Sequence, residues 1–312
     1  MSKTDPTSEV VGPEILSQRM GRGSPSPSSI ELSTSAQLAP PKDRGGSKSG
    51  LLYFFHQFLR REYLSIISLI VFLLAWEGVC YFKIIGPYQL VPPTTVLKVF
   101  ILKLTQVNPD GAYLWAHALS SLGLALLGFL GAALIGVPLG LFMGWYTRLN
   151  LVVRPIFDLI RPIPPIAWIP LAILWLGIGV KAKAYIIFLA SFVPCVINSF
   201  TGIRLTNPIL ARVARVHGAS DFTVFLKIGL PSAIPMIFNG LRLSLNAAWT
   251  TLVAAELVAA SQGLGFMIQM GRRLARPDIV IVGMLTIGVL GALLSWGLSK
   301  AESHFVSSRR LT

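Results

Sequence analysis

The residues able to do chemistry in this chain are few, and most of them interrupt apolar runs. Glu77 and Glu256 are carboxylates inside such runs. An ionisable group at the centre of a buried membrane helix costs at least ~2.5 kcal/mol, so each is a candidate for ion handling or for pairing with a neighbouring span. Asn198, Asn239, Asn246 and Thr250 punctuate other apolar stretches and can hydrate a passing solute, an anion included. Pro162, Pro164, Pro165 and Pro170 crowd the run RPIPPIAWIPLAILWLGIG. Each removes a backbone donor, and the freed carbonyls need partners, so this segment must be surrounded by protein or line a pathway. Metal and thiol chemistry is not readable: Cys80 and Cys195 stand apart, and His56, His117, His217 and His304 are scattered. Gly46-Ser47-Lys48-Ser49 lacks the Gly-x4-Gly-Lys spacing of a phosphate loop, so the sequence shows no nucleotide site and no cofactor of its own.

The elements that must position these residues follow from composition. The chain of 312 residues is 53% hydrophobic and 13% charged. A soluble domain carries about 25% charged residues, so this composition belongs in a lipid bilayer. The net charge of +14 is scattered between apolar runs of membrane-spanning length, a distribution that marks loop topology and excludes nucleic acid as a partner.

Read in order, residues 1–50 are rich in Ser, Pro and Gly and are expected to be a disordered cytosolic tail. Residues 51–62 put Leu51, Phe55, Phe58 and Leu59 on one face and end in arginines, as in a helix lying on the membrane surface. The transmembrane domain occupies residues 63–305, with spans expected at 63–82, 117–145, 161–179, 182–203, 232–260 and 278–299. A short helix at 94–104 interrupts the first long loop. In the second span Gly128, Ala132, Gly136, Gly140 and Gly144 recur every fourth residue, a smooth strip for close helix packing. Gly288 with Ala292, and Gly291 with Ser295, repeat that pattern in the last span. Lysines and arginines fall mainly on the side that holds the termini, which places both ends in the cytosol.

The longest charged interruption is residues 204–231, RLTNPILARVARVHGASDFTVFLKIGLP. Pro208 can open a helix with Ile209, Val213, Ala214 and Val216 on its apolar side. His217 and Gly218 close it, because glycine takes the left-handed conformation a helix terminus needs. Ser220 can cap a second helix whose first turn holds Asp221, favourably placed against the dipole. Such a surface suits the gripping of a partner.

Ala214, Gly218, Ile228, Leu230 and Pro231 match, with spacing kept, the loop Glu-Ala-Ala-x3-Gly-x9-Ile-x-Leu-Pro. The sequence thereby resembles the membrane subunits of bacterial binding-protein-dependent ABC importers over residues 60–305. Arg212 stands where that loop usually has glutamate, and Val213 where it has alanine. The proline-rich run and ELVAASQGLGF at residues 256–266 look like the branch that imports taurine, other sulfonates, nitrate or bicarbonate, nearest to taurine-type permeases.

The resemblance implies an all-α membrane protein of six transmembrane helices, of the type I ABC importer kind, with a cytosolic coupling helix between spans four and five. It implies a multi-pass protein of the bacterial inner membrane, working as a homodimer, or paired with a close relative, with a cytosolic ATP-binding subunit and an extracytoplasmic solute-binding protein. ATP and Mg would be bound by the ATPase partner, and the chain itself would not be an enzyme. Arg212, Ala214, Arg215, Gly218, Asp221, Ile228, Leu230 and Pro231 would make the coupling surface. Pro162, Pro164, Pro165, Asn198, Asn239, Asn246, Thr250 and Glu256 are the pathway candidates. The alternative is a secondary transporter driven by an ion gradient through Glu77 and Glu256, which leaves the Gly218 loop without a purpose.

Overall fold

The computed structural model describes residues 49–86, 88–107 and 109–307. The readings made for residues 1–48, and for the side chains of residues 51–62, lie outside the described residues. The chain divides into two units, residues 1–67 and 68–312. Of the first, residues 49–67 are helical and belong to helix α1, Ser49–Tyr81.

The second unit is built from helices alone among the described residues. They are α2 (Pro93–Thr105), α3 (Leu114–Trp145), α4 (Thr147–Ile160), α5 (Ile169–Leu176), α6 (Val180–Arg204), α7 (Pro208–Val216), α8 (Asp221–Val224), α9 (Leu230–Ala259), α10 (Leu264–Arg273) and α11 (Pro277–Ser307). Among the described residues, four stretches are long and apolar enough to cross a membrane: α3, α6, Asp221–Val258 and Pro277–Ser303. The apolar part of α1, Ile66–Tyr81, is shorter.

The third expected span, residues 161–179, is not one continuous helix. Here α4 and the segment Pro165–Leu176 form a broken pair bent by 83°. Pro162, Pro164 and Pro165 bring no N–H to a ladder, and Pro165 forces Pro164 into an extended conformation, with φ −55° and ψ 133°. The chain therefore stops at Ile160, crosses the prolines, and restarts as a 3₁₀ turn at Pro165–Trp168 before α5.

Span five also starts earlier than expected. Helix α8 runs through a π-helical turn, Phe225–Gly229, directly into α9. The Leu230 N–H reaches back five residues to the Phe225 carbonyl. This wider turn makes room for Pro231, whose ring would otherwise press on the carbonyl four residues back.

The centre of the unit is α3 against α6 and α6 against α9. Leu124, Phe129, Ile187, Leu245, Trp249 and Leu252 close over that centre. A second cluster, with Val96, Leu114, Leu264, Met267 and Ile279, joins α2, α3, α10 and α11. The small-residue strip on α3 makes the first contact possible. A Cβ on Gly140 would lie 2.4 Å from the Val196 carbonyl oxygen, and one on Gly128 2.5 Å from Ile187. In α11 Gly291 faces the Trp249 indole, whereas Gly288 has open space around it.

Gly140→Ala is expected to cost ~1–3 kcal/mol, because the obstacle is backbone and cannot rotate away. Gly123→Ala on the same helix meets nothing within 4 Å and is expected to be neutral or slightly stabilising. Thermal unfolding of the two variants in detergent checks the contrast.

Candidate functional site

The 204–231 loop builds a small amphipathic surface beyond the end of α6. Asn207 accepts from the Ile209 N–H and Pro208, which has no N–H to leave unpaired, occupies the first turn, so α7 starts with two of its free donors accounted for. His217 and Gly218 end it, with Gly218 at φ +83° and the Ala219 N–H returning to the Ala214 carbonyl. Ser220 then caps α8 by accepting from the Thr223 N–H. Asp221 does more than complement the dipole. It pairs with Arg215 at 2.7 Å and accepts from Trp145 Nε1 at 3.0 Å, tying the loop to the end of α3.

Behind it, Phe225 lies 5.5 Å from the Trp145 ring and Leu230 packs with Leu141, Ile203 and Ala233. Ile228 and Pro231 are half-buried at the root of α9, and Ala214 is half-buried on α7. No residue of α7 is fully buried, and Ile209, Leu210, Val213 and Val216 stand exposed beside Arg212.

A cavity of about 560 Å³ opens between the α4/α5 bend, α6 and α9. Phe157, Phe188, Phe192 and Trp168 make it mainly apolar, and Arg161, Thr250 and Thr251 add polar groups. Of the eight pathway candidates, Pro165 and Thr250 line it. Pro162 and Pro164 make the bend that frames it. Asn198 and Asn239 pair with each other across α6 and α9 at 2.9 Å, and Asn198 also bonds the Pro194 carbonyl. Asn246 reaches Ser295 of α11 at 3.5 Å. Glu256 is 1% exposed and stands apart from the cavity lining.

Glu256 belongs to a buried polar network at the other end of α3. Helix α10 begins at Gly263, which has no side chain with which to cap it. Three groups from elsewhere meet its first N–H donors: His117 Nδ1 accepts from Gly263 at 3.0 Å, Ser121 Oγ from Leu264 at 2.8 Å, and Glu256 Oε2 from Gly265 at 2.8 Å. Ser121 Oγ in turn donates to the Glu256 carboxylate. A carboxylate at a helix N-terminus is favoured by the dipole as well as by the hydrogen bond.

Because His117 Nδ1 accepts, the ring proton sits on Nε2, which faces Asp110 Oδ2 at 3.3 Å. Asp110 also pairs with Lys103 of α2. Burial by itself raises the Asp110 carboxyl, but the facing His117 N–H and the paired Lys103 ammonium outweigh it and hold the group below the usual carboxylate range.

Glu77 repeats the device: its carboxylate accepts from Thr94 Oγ1 at 2.9 Å and from the Thr94 N–H at 3.4 Å. It thus serves the start of α2, whose own N-cap, Pro92, has no capping side chain. Neither cap is readable locally, but each has a signal: a helix start at glycine or proline with a carboxylate inside an apolar run elsewhere in the chain. Arg242 similarly finds Glu302 at the far end of α11.

Residues 136–299 match the family model described as binding-protein-dependent transport system inner membrane component. The match takes in the 204–231 loop, the cavity and Glu256. The chain belongs to that family.

Among its relatives is the taurine transport system permease protein TauC of Escherichia coli K12, 38% identical over 256 residues, covering 81% of this chain and 90% of TauC. The putative aliphatic sulfonates transport permease protein SsuC of Bacillus subtilis 168 is 34% identical over 72% of this chain and 79% of its own length. The nitrate import permease protein NrtB of Leptolyngbya laminosa is 29% identical over 88% and 97%. In fold, the permease is similar to a chain of the MetNI methionine ABC transporter solved in inward-facing conformations. The TM-score is 0.52 at 20% identity, covering 62% of this permease and 96% of that chain. The type I importer architecture expected from the sequence is therefore the fold of this permease, a multi-pass membrane protein.

Glu256→Ala leaves the Gly265 N–H and Ser121 without an acceptor in a buried place. The expected loss is ~1–3 kcal/mol, read as a lower thermal midpoint and faster hydrogen exchange at the start of α10. For Asp110, a carboxyl depressed in the folded state contributes stability that is complete above its unfolded value of ~4 and is lost as pH falls through the folded value. Wild-type stability should therefore drop below about pH 4, and Asp110→Asn should be less stable at neutral pH and show a smaller acid-side drop, in unfolding scans across pH.

Proposed function

We propose that the permease forms the translocation pathway of an ATP-driven importer for a small anion, a sulfonate such as taurine first, nitrate or bicarbonate next. The relatives TauC, SsuC and NrtB support the solute class through their names. A cytosolic ATP-binding subunit holds ATP and Mg and performs hydrolysis, an extracytoplasmic solute-binding protein delivers the anion, and two copies of the permease enclose the path. The termini lie in the cytosol of a bacterial inner membrane.

The observation that carries the coupling is the exposed surface of α7 fastened to α3 through Asp221 and Trp145. A partner that pulls on this loop acts directly on a helix of 32 residues that frames the cavity at Leu139. Motion of the ATPase therefore has a packed route to the pathway, and the cavity can open alternately to the two sides. Within it, Thr250 and Arg161, the latter shared with Asp158 at 3.3 Å, offer an anion a hydroxyl and a partly balanced charge in an otherwise apolar wall. Weak contact of this kind lets a solute leave, so selectivity rests with the delivering protein. The ion-gradient alternative requires Glu77 and Glu256 to exchange protons with the path, but both are engaged as caps.

Gly218→Val puts a β-branched residue at φ +83°, whereas Gly218→Asn tolerates it. The valine variant is expected to lose at least ~10-fold in ATP-dependent taurine uptake by reconstituted vesicles, with weaker retention of the ATP-binding subunit, a loss equivalent to ~1.4 kcal/mol. The asparagine variant should keep most of both. Unchanged uptake and retention in Gly218→Val would refute the coupling role.

A further inference from the structure

At the base of α7 the chain forms a basic hollow of about 390 Å³, lined by Gly144, Trp145, Arg204, Thr206, Arg212 and Arg215 among others. The whole stretch 204–231 carries four basic residues and one acidic residue, Asp221. Asp221 is engaged by Arg215 and by the Trp145 indole. Arg204 lies over the Phe200 ring at 5.5 Å, and Arg212 makes a long bond of 3.4 Å to the Pro208 carbonyl. Among the described residues neither has a carboxylate partner, and both are exposed. Thr206 adds a buried hydroxyl without a hydrogen-bond partner.

Two guanidinium forks in a concave wall form a receptor for a planar carboxylate, which arginine binds in bidentate fashion. The apolar residues exposed beside it, Val213 and Val216, need cover at the same time. A side chain projecting from a folded protein supplies both, whereas a headgroup layer covers the helix face and leaves the recess behind α7 unfilled.

We propose that this hollow receives an aspartate or glutamate of the ATP-binding subunit, so that the first contact of coupling runs from cation on the permease to anion on its partner. This rests on the reading under Proposed function and adds the chemistry of the partner's cleft. The usual loop places glutamate where Arg212 stands, so the polarity of the contact is reversed in this permease. A partner whose cleft carries a basic group at that point would then be repelled, which makes Arg212 a determinant of partner choice.

The test uses the full chain in nanodiscs of neutral phosphatidylcholine and the ATP-binding subunit that co-purifies with it. Affinity should fall at least about tenfold in Arg212→Glu, by less in Arg212→Gln, and its salt dependence should flatten in both. Carbodiimide treatment of the Arg212→Lys complex should join the two chains at one aspartate or glutamate of the subunit. Matching thermal midpoints of variant and wild type separate lost contact from lost fold, and the crosslink is an independent reading if Arg212→Glu fails to fold. Unchanged affinity in Arg212→Glu together with Arg204→Glu overturns the proposal, as does an absent crosslink. Binding that appears only when anionic phosphatidylglycerol is added also overturns it, by assigning the hollow to a lipid headgroup. If the wild-type chain binds no ATP-binding subunit in either lipid, the underlying importer reading fails as well.

Discussion

The approach of α3 to α6 is the constraint on which the rest of this permease rests. In lipid, apolar side chains gain nothing by meeting one another instead of acyl chains, so helices associate where their backbones come close. Gly140 permits that at the Val196 carbonyl, Gly136 at Cys195 and Gly144 at Phe200 and Ile203. Ala132 is wholly buried in the same strip. Once α3 is seated on α6, its two ends are fixed in relation to each other. One end carries Trp145 and, through it, the partner-facing loop; the other carries His117 and Ser121 and, through them, the start of α10.

A second constraint, the need of backbone N–H groups at a helix start for an acceptor, explains where Glu77 and Glu256 lie. Glu77 and Glu256 each complete a helix that its own N-cap cannot complete. Their charge faces backbone dipoles, while the cavity between the α4/α5 bend, α6 and α9 holds Arg161 and hydroxyls. Asp158 pairs with that Arg161 at 3.3 Å, so the charge at the cavity wall is partly balanced.

What could be read in the sequence was whatever neighbouring residues decide among themselves. The turn at Gly218, the cap at Ser220 and the helix start at Pro208 are local events. The strip on α3 needs only a four-residue repeat, and the short helix α2 was placed almost to its ends. The prolines of residues 162–170 marked a segment that needs partners for its freed carbonyls, yet the break and its 83° bend depend on how α5 packs on α6, which no periodicity records. The joining of α8 to α9 was hidden because Pro231 looks like a helix start unless one foresees the π turn before it. The network around Glu256 was hidden by distance: Ser121 is 135 residues away in sequence, and Gly263 is 146 from His117. Glu256 was visible as a residue, and its meeting with Ser121 was not.

The crowding around Glu256 reaches into how such a chain can change over generations. A Cβ on Gly263 would come within 2.2 Å of the carboxylate, and one on Gly265 within 2.7 Å of the Glu256 Cβ. A lineage cannot trade one of these three positions alone: losing the acid strands the donors, and gaining a methyl evicts the acid. The segment from Glu256 to Phe266 should therefore be inherited as a block, with drift confined to the positions between, such as the exposed Val258.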